Sequence, residues 1–338
     1  MEEVMLIEGV DIHIEGLSRF PGLINAHDHL DFALFPRLGR ATYPNATAWA
    51  KDIYHPEDSP VAEHLRIPKH LRLLWGGLRN LIAGVTTVSH HNPYDASFDD
   101  GFPVRVVKNY GWAHSLAFDP DIRARFDATP PNAPFLIHAA EGTDADAAEE
   151  IYQLDRLGVL TEHTVLIHAV ALDAAGWQLV RERKCSVICC PRSNMFTLGQ
   201  TLDPPPGIPL ALGTDSPLTT EGDLLDEVCA AQRLLHRDVL DMVTTTAARI
   251  LRLPACDDFL AAPAFAHPPE LVVIDHSLRL ISPRLAPQLP EALRDKFFPL
   301  HIDGRPPVLV RHNIPLLIQE TRRYIEAPIR LAGREVQA

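Results

Sequence analysis

Apolar and polar positions along this chain repeat with two periods, one of two residues and one between three and four. Residues 4–15 (VMLIEGVDIHIE) alternate around a glycine, which predicts a short hairpin. Further on, short apolar runs at 21–27, 85–91, 103–112, 134–142, 164–170, 185–191 and 209–216 predict strands. Between them, KHLRLLWGGLRNLIA (69–83), DADAAEEIYQLDRLG and LDAAGWQLVRERK place apolar residues three and four apart and predict amphipathic helices. Two more helices are expected over 223–236 and 238–252, while DPDIRARFDATPP makes a short helix at most. Residues 31–68 have no clear period and read as one long loop, a feature that compact domains usually reserve for function.

Strands alternating with helices imply a parallel sheet. The polar residues of the apolar runs gather at their C-terminal ends: His27 and His29, His91, Lys108, His138, His168 and Asp215. A (β/α)8 barrel builds its active site there, so the expected fold is α/β, a TIM-like barrel that is distorted or one unit short. Seven strands are clear. The 46 residues between His91 and His138 (92–137) are too few for two complete units, so the fourth strand is either degenerate or hidden near 112–118. Residues 1–20 and 263–338 carry strand-like segments between prolines and are expected to form a small β-rich appendage. That leaves 21–262 for the barrel.

Composition narrows the function classes. With 338 residues, 46% apolar and 22% charged, the chain can bury the core of a large globular domain. A net charge of −13 leaves no basic surplus to neutralise phosphates, which argues against a nucleic-acid partner. No apolar run approaches the roughly 20 residues of a membrane span. The opening MEEVMLIEGVDIHIEG has neither a basic segment nor a long apolar one, so no secretory signal and a cytoplasmic location are expected. Five cysteines, two of them adjacent (Cys189, Cys190) and none in CxxC spacing, read as buried reduced thiols.

Residues i and i+2 of a strand share a face, so His27 and His29 aim at one point while Asp28 looks elsewhere. With His138 and Asp215 they make a three-nitrogen, one-oxygen set suited to one divalent ion, zinc first and iron second, with a position left for water. Such an ion lowers the pKa of water towards ~7. Any one of these histidines could be structural; their joint placement at successive strand ends makes the set specific.

PGLINAHDH, AGVTTVSHH, IHAAEG, VLIHAV, CCPRSN and LGTDSPLT resemble the ordered strand motifs of the metal-dependent amidohydrolase superfamily, over about residues 20–252. MVTTTAARILRL and PELVVID resemble that family's end-of-barrel helix and its return to a small β domain. Within it, HAAE (His138 to Glu141), and CPRSN followed by Leu198, resemble the aminohydrolase and chlorohydrolase branch, which holds cytosine, guanine, adenosine and S-adenosylhomocysteine deaminases and triazine hydrolases. The resemblance implies a mononuclear metal held by His27, His29, His138 and Asp215. Glu141 would shuttle a proton to a ring nitrogen, His168 would orient the attacking water, and Asp215 would take that water's proton. The implied reaction is deamination of a heterocycle or amidine-like small molecule. Attack on such a carbon requires protonation of the adjacent nitrogen, for which a nearby carboxyl is the natural acid. Glu141 has a plainer alternative, favouring the dipole of the helix that follows.

His91, Arg192 and Asn194 are assigned to substrate. For His91 the alternative is one of a solvated pair with His90, and for Arg192 a salt-bridged surface residue. Aromatic residues of the loop (Phe32, Phe35, Tyr43, Trp49, Tyr54) could stack on a heterocycle or close a homodimer, which analogy alone suggests. The N-terminal β segment is shorter than the family's, and the region between the second and fifth strands is compressed. Two rival readings remain. A carboxylated Lys108 could bridge two metals, with His138 and His168 on the second ion, in an amide or lactam hydrolase. Alternatively, the barrel could bind a ligand without turnover.

Overall fold

The computed structural model describes residues 4–235, 237–331 and 333–337. Eight parallel strands form the centre: β1 (Leu23–Asp28), β2 (Val85–His90), β3 (Arg105–Val106), β4 (Gly111–Ala113), β5 (Phe135–Ala139), β6 (Thr164–His168), β7 (Ser186–Cys189) and β8 (Leu210–Leu212). β1, β2 and β3 pair in that order, and β4 to β8 pair in sequence as a five-stranded sheet. A parallel bridge between Asp28 and Asp215 links β1 to the end of β8, where the Thr214 amide donates to the His27 carbonyl at 2.9 Å.

The strands are buried on both faces, which is why they read as unbroken apolar runs. One face supplies an inner cluster from alternate positions, including Ile24, Ala26, Leu136, Val165, Ile167 and Ile188, closed below by Ala247 and Ile250. The other face packs against the helices through Leu23, Val88, Ile137, Leu166 and Leu210.

The run 103–112 is two strands rather than one. β3 and β4 are separated by Val107–Tyr110, where Tyr110 turns its hydroxyl back to the Asn92 carbonyl and the chain stops pairing. β4 is the fourth strand, and its three residues explain why its apolar signal was weak. Residues 31–68 are not a bare loop either, because they hold helices Ala46–Ile53 and Val61–Leu65. The first is capped by Asn45, whose Oδ1 accepts from the Ala48 amide at 2.9 Å.

Lys69–Leu81, Ala145–Arg156, Ala174–Glu182 and Leu224–Leu234 are helical, whereas the second late helix is split into Val239–Met242 and Thr245–Ile250. The glycine pair in WGG has a packing reason. A Cβ on Gly76 would stand 2.5 Å from the Leu30 carbonyl, so only glycine lets helix Lys69–Leu81 press against the turn that follows the HDH motif.

Eight of the remaining described strands make a separate antiparallel sheet. Its first strand comes from Ser18–Pro21, and its C-terminal share begins at Phe259–Ala262 and ends at Arg334–Gln337. Val4–Ile7 and Val10–His13 pair as a hairpin, and their inner residues Met5 and Ile12 share a small core with Leu271, Val273 and Leu278. Among the described residues no helix is long and apolar enough to cross a membrane.

Candidate metal centre

The strand ends bring the predicted donors together. His27 Nε2 lies 3.2 Å from His138 Nε2 and 3.5 Å from Asp215 Oδ1. One donor atom each from His27, His138, His168 and Asp215 falls within 4.8 Å of all the others. His29 flanks this group, with Nε2 3.7 Å from the same Asp215 oxygen and its ring stacked on that of His138 at 5.5 Å. His168, expected to orient water, also offers a donor atom to this group.

Hydrogen bonds aim these groups. His138 Nδ1 donates to the His114 carbonyl at 2.8 Å, and His168 Nδ1 to Asn194 Oδ1 at 2.7 Å. Each bond leaves Nε2 with its lone pair turned into the site. Ser193 and Thr219 donate to Asp215 Oδ2 at 2.6 and 3.0 Å, which leaves Oδ1 for the histidines. The turns carrying these residues are strained: His168 (φ 74°), Asp215 (φ 56°) and Ala140 (φ 52°) all hold left-handed backbone, at about 1–3 kcal/mol each.

Burial lowers the His27 pKa to about 3 and takes His138 and His91 well below the ordinary value, so these imidazoles are neutral at pH 7. Burial would raise Asp215, but its hydrogen bond with His27 and the surrounding imidazoles outweigh that and hold it far below the usual carboxylate range. Neutral imidazoles and an ionised carboxylate are the donor chemistry a divalent cation requires.

Asp28 points the other way, as its strand position requires. Its carboxylate accepts from Arg79 at 2.7 Å, Asn80 at 2.7 Å and Asn25 at 3.1 Å. Asn25 and Arg79 also donate to Thr214 Oγ1, tying β1, helix Lys69–Leu81 and the end of β8 into one buried polar network behind the donors.

Glu141 follows β5, with Oε1 3.5 Å from His168 Nε2 and its side chain 13% exposed. Burial pushes its carboxyl up to about 7, against the pull of His168. It does not serve the next helix, which is capped by Asp144 accepting from the Ala147 amide at 3.0 Å. A cavity of about 530 Å³ opens here, with His138 and Glu141 at its base, His114 and Phe118 on one side and Asn45–Ala48 on the other. The Ala46 amide donates to the Glu141 carbonyl at 2.9 Å, and Asn45 bridges Gly142, so the 31–68 segment is fastened to the Glu141 turn.

The residues assigned to substrate fall elsewhere. His91 is 1% exposed and donates through Nε2 to the Ala113 carbonyl, 3.0 Å away; its ring is 4.4 Å from that of His138. It is no solvated partner of His90, which accepts the Leu30 amide separately at 3.2 Å. Asn194 stands behind His168 rather than on the cavity wall. Arg192 packs against Gly222 and Asp226, and its amide donates to Glu227 at 3.0 Å, away from the cavity. None of the five loop aromatics lines the cavity; Tyr43, for one, is buried with its hydroxyl on Asp52 at 2.5 Å. Lys108 is 63% exposed and paired with Asp99, which removes the bridging lysine from the site.

His114 was missed. It ends β4, its ring lies 4.8 Å from that of His138, and it lines the cavity. The signal was present in WAHSLAF, a polar residue closing a short apolar run.

A parallel α/β fold with a buried histidine and carboxylate group at the C-terminal ends of its strands defines the class: an α/β protein whose donor group could hold a metal ion. In sequence the chain is similar to 5-methylthioadenosine/S-adenosylhomocysteine deaminase of Syntrophobacter fumaroxidans, 24% identical over 302 residues, 72% of this chain and 66% of that protein. The chain thus spans just under two thirds of that relative's length. In fold it is similar to an adenosine deaminase from Xanthomonas campestris with bound zinc (TM-score 0.64, 16% identity, 91% of this chain and 85% of that one). It is similar, too, to a mutant of atrazine chlorohydrolase from Arthrobacter aurescens complexed with zinc and atraton (TM-score 0.64, 15% identity, 92% and 88%). No family model matches the chain. The sequence relatives are thus named deaminases, and the fold is shared with an adenosine deaminase and a chlorohydrolase.

Proposed function

We propose that this protein is a metal-dependent hydrolase that removes ammonia from an amino-substituted heterocycle, with its eight parallel strands closed into a (β/α)8 barrel. The observation that carries the reading is Glu141, a mostly buried carboxyl held near neutrality at the base of a cavity, 3.5 Å from His168 and beside the donor group. A two-metal amide hydrolase would give that carboxyl no duty and would need Lys108 in the site.

His27, His29, His138 and Asp215 would hold one divalent ion, zinc by the chemistry of the set. Bound there, the ion supplies Lewis-acid activation of water. Asp215 Oδ1 accepts the proton of the attacking water. His168, with its tautomer set by Asn194, holds that water against the target carbon through Nε2. Glu141 gives its proton to the ring nitrogen next to that carbon, so the carbon gains positive character as the C–O bond forms. The proton from Asp215 passes to the exocyclic amine, the C–N bond breaks and ammonia leaves, while the new hydroxyl becomes the product carbonyl and returns its proton to Glu141. The relatives' names make a 6-aminopurine nucleoside the first substrate class to try.

The test is metal content per chain in protein purified without added metal, together with ammonia release from a panel of aminopurines, aminopyrimidines and their nucleosides. About one zinc per chain, lost in His27→Ala, with ammonia released by the wild type alone, is the expected result. A metal-loaded protein that releases no ammonia from any of them would refute the assignment.

A further inference from the structure

β5 ends at Ala139, which makes the last ladder pair with His168. Ala140 comes next, fully buried and held in left-handed backbone at φ 52°. A residue with a Cβ keeps that conformation only where its surroundings enforce it. Its carbonyl accepts the Ala171 amide at 2.9 Å. Its amide lies beyond the ladder, and a buried amide without an acceptor is costly. Glu150 supplies the acceptor, its Oε2 taking the Ala140 amide at 2.7 Å. Ala140 is thereby fixed on both sides, once by backbone and once by a side chain.

Glu150 reaches back to this turn from helix Ala145–Arg156, while its neighbour Glu149 turns to Arg156 at 2.7 Å. The helix itself does not need Glu150, since Asp144 already caps its start. Burial pushes the Glu150 carboxyl up to about 7, with the Ala140 amide only partly opposing. A surface glutamate bears no such penalty, so the group is held in place against its own solvation. It can accept the amide in either protonation state, because the neutral acid keeps a carbonyl oxygen.

The residue after the clamped one is Glu141, the proton donor of the proposed reaction. Its Oε1 stands 3.5 Å from His168 Nε2, and a shift of the turn by about 1 Å is enough to spoil such an alignment. We propose, on the deaminase reading, that Glu150 is a positioning residue: its carboxyl clamps the strained Ala140 turn and so aims Glu141, without itself touching substrate or metal.

The test compares two zinc-loaded variants. Glu150→Leu removes the acceptor, whereas Glu150→Gln keeps an acceptor oxygen and removes only the charge. Glu150→Leu is expected to lower kcat for ammonia release by about 10–100-fold, with KM and zinc content little changed. Glu150→Gln is expected to recover most of that loss. In 15N-alanine-labelled protein, the Ala140 amide should exchange with solvent roughly tenfold or more faster in Glu150→Leu than in the wild type, and stay protected in Glu150→Gln. If Glu150→Leu does not fold, Glu150→Asp takes its place, because its carboxylate ends one methylene short of the amide. A rise in KM with kcat unchanged would make Glu150 a substrate contact and overturn the proposal. Equal losses in the leucine and glutamine variants would overturn it too, by assigning the effect to charge, as would an Ala140 amide that stays protected without the acceptor. If the amide behaves as expected while the wild type releases no ammonia from the panel, the clamp on the turn stands and the deaminase reading falls.

Discussion

Asn194 touches no wall of the cavity, yet its Oδ1 at 2.7 Å decides which nitrogen of His168 faces the donors. Asn194→Ala is expected to lower kcat by roughly 10–100-fold, the usual effect of losing a residue that orients a site histidine, with little change in KM. Steady-state kinetics on the metal-loaded protein would check it. Glu141→Gln keeps the shape of the side chain and removes its proton. A loss in kcat of about 10²–10⁴-fold with zinc content unchanged is expected, and a zinc content that fell with activity would instead make Glu141 part of the metal's support.

Glu227 is another buried carboxyl, with a different task. It accepts the Arg192 amide at 3.0 Å and so fixes the start of the helix that presents Ser193 and Asn194. Burial raises its pKa from 4.5 to about 8, with the Arg192 amide only partly opposing. Below about 4.5 the group is protonated whether or not the chain is folded. Between there and about 8, the folded chain keeps a proton that the unfolded chain has released. Its contribution to stability therefore declines as pH rises through that window, by up to about 1.4 kcal/mol per pH unit, and levels off above it. Urea unfolding of Glu227→Gln between pH 5 and 8 should show a flatter stability profile than the wild type, and parallel profiles would mean that Glu227 does not titrate there.

Among the elements, helix Lys69–Leu81 does more than cover the sheet. It inserts Arg79 and Asn80 behind the donors, and the Arg79–Asp28 pair is 1% and 0% exposed. Removing one partner of a buried ion pair leaves the other uncompensated, so Arg79→Ala is expected to cost about 3–5 kcal/mol in chemical denaturation. The close fit continues at the end of β8, where a Cβ on Gly213 would stand 2.6 Å from His27 Cβ and 2.7 Å from its carbonyl. At this scale most of the helices and strands were legible, because strands buried on both faces and helices buried on one leave different periods. The split at 107–110 and the helix Ala46–Ile53 were not. A three-residue strand has too few positions to show a period, and Ala46–Ile53 packs only partly, with Ile53 its one buried residue.

For the whole molecule, donors from β1, β5 and the end of β8 converge on one point, so bound metal would cross-link segments far apart in sequence. Chelation should accordingly lower the melting temperature, and zinc should restore it. A site filled at 100 times its dissociation constant would add about 2.7 kcal/mol to stability. An identical melting curve with and without chelator would exclude a metal bound tightly by these residues.

The sequence by itself determined the alternation of strands and helices and the gathering of His27, His29, His138, His168, Glu141 and Asp215 at strand ends. Both follow from local rules, burial period and side-chain direction, that act within a few residues. Only the tertiary structure decided that His114 shares the cavity, that His91 is sealed beneath it, and that Asn194 serves His168. Only it placed Arg192 among acids and Lys108 in solvent. Those outcomes depend on which turns face each other across the strand ends, and a contact between residues 45 and 142, or 79 and 214, leaves no mark in the spacing of either segment.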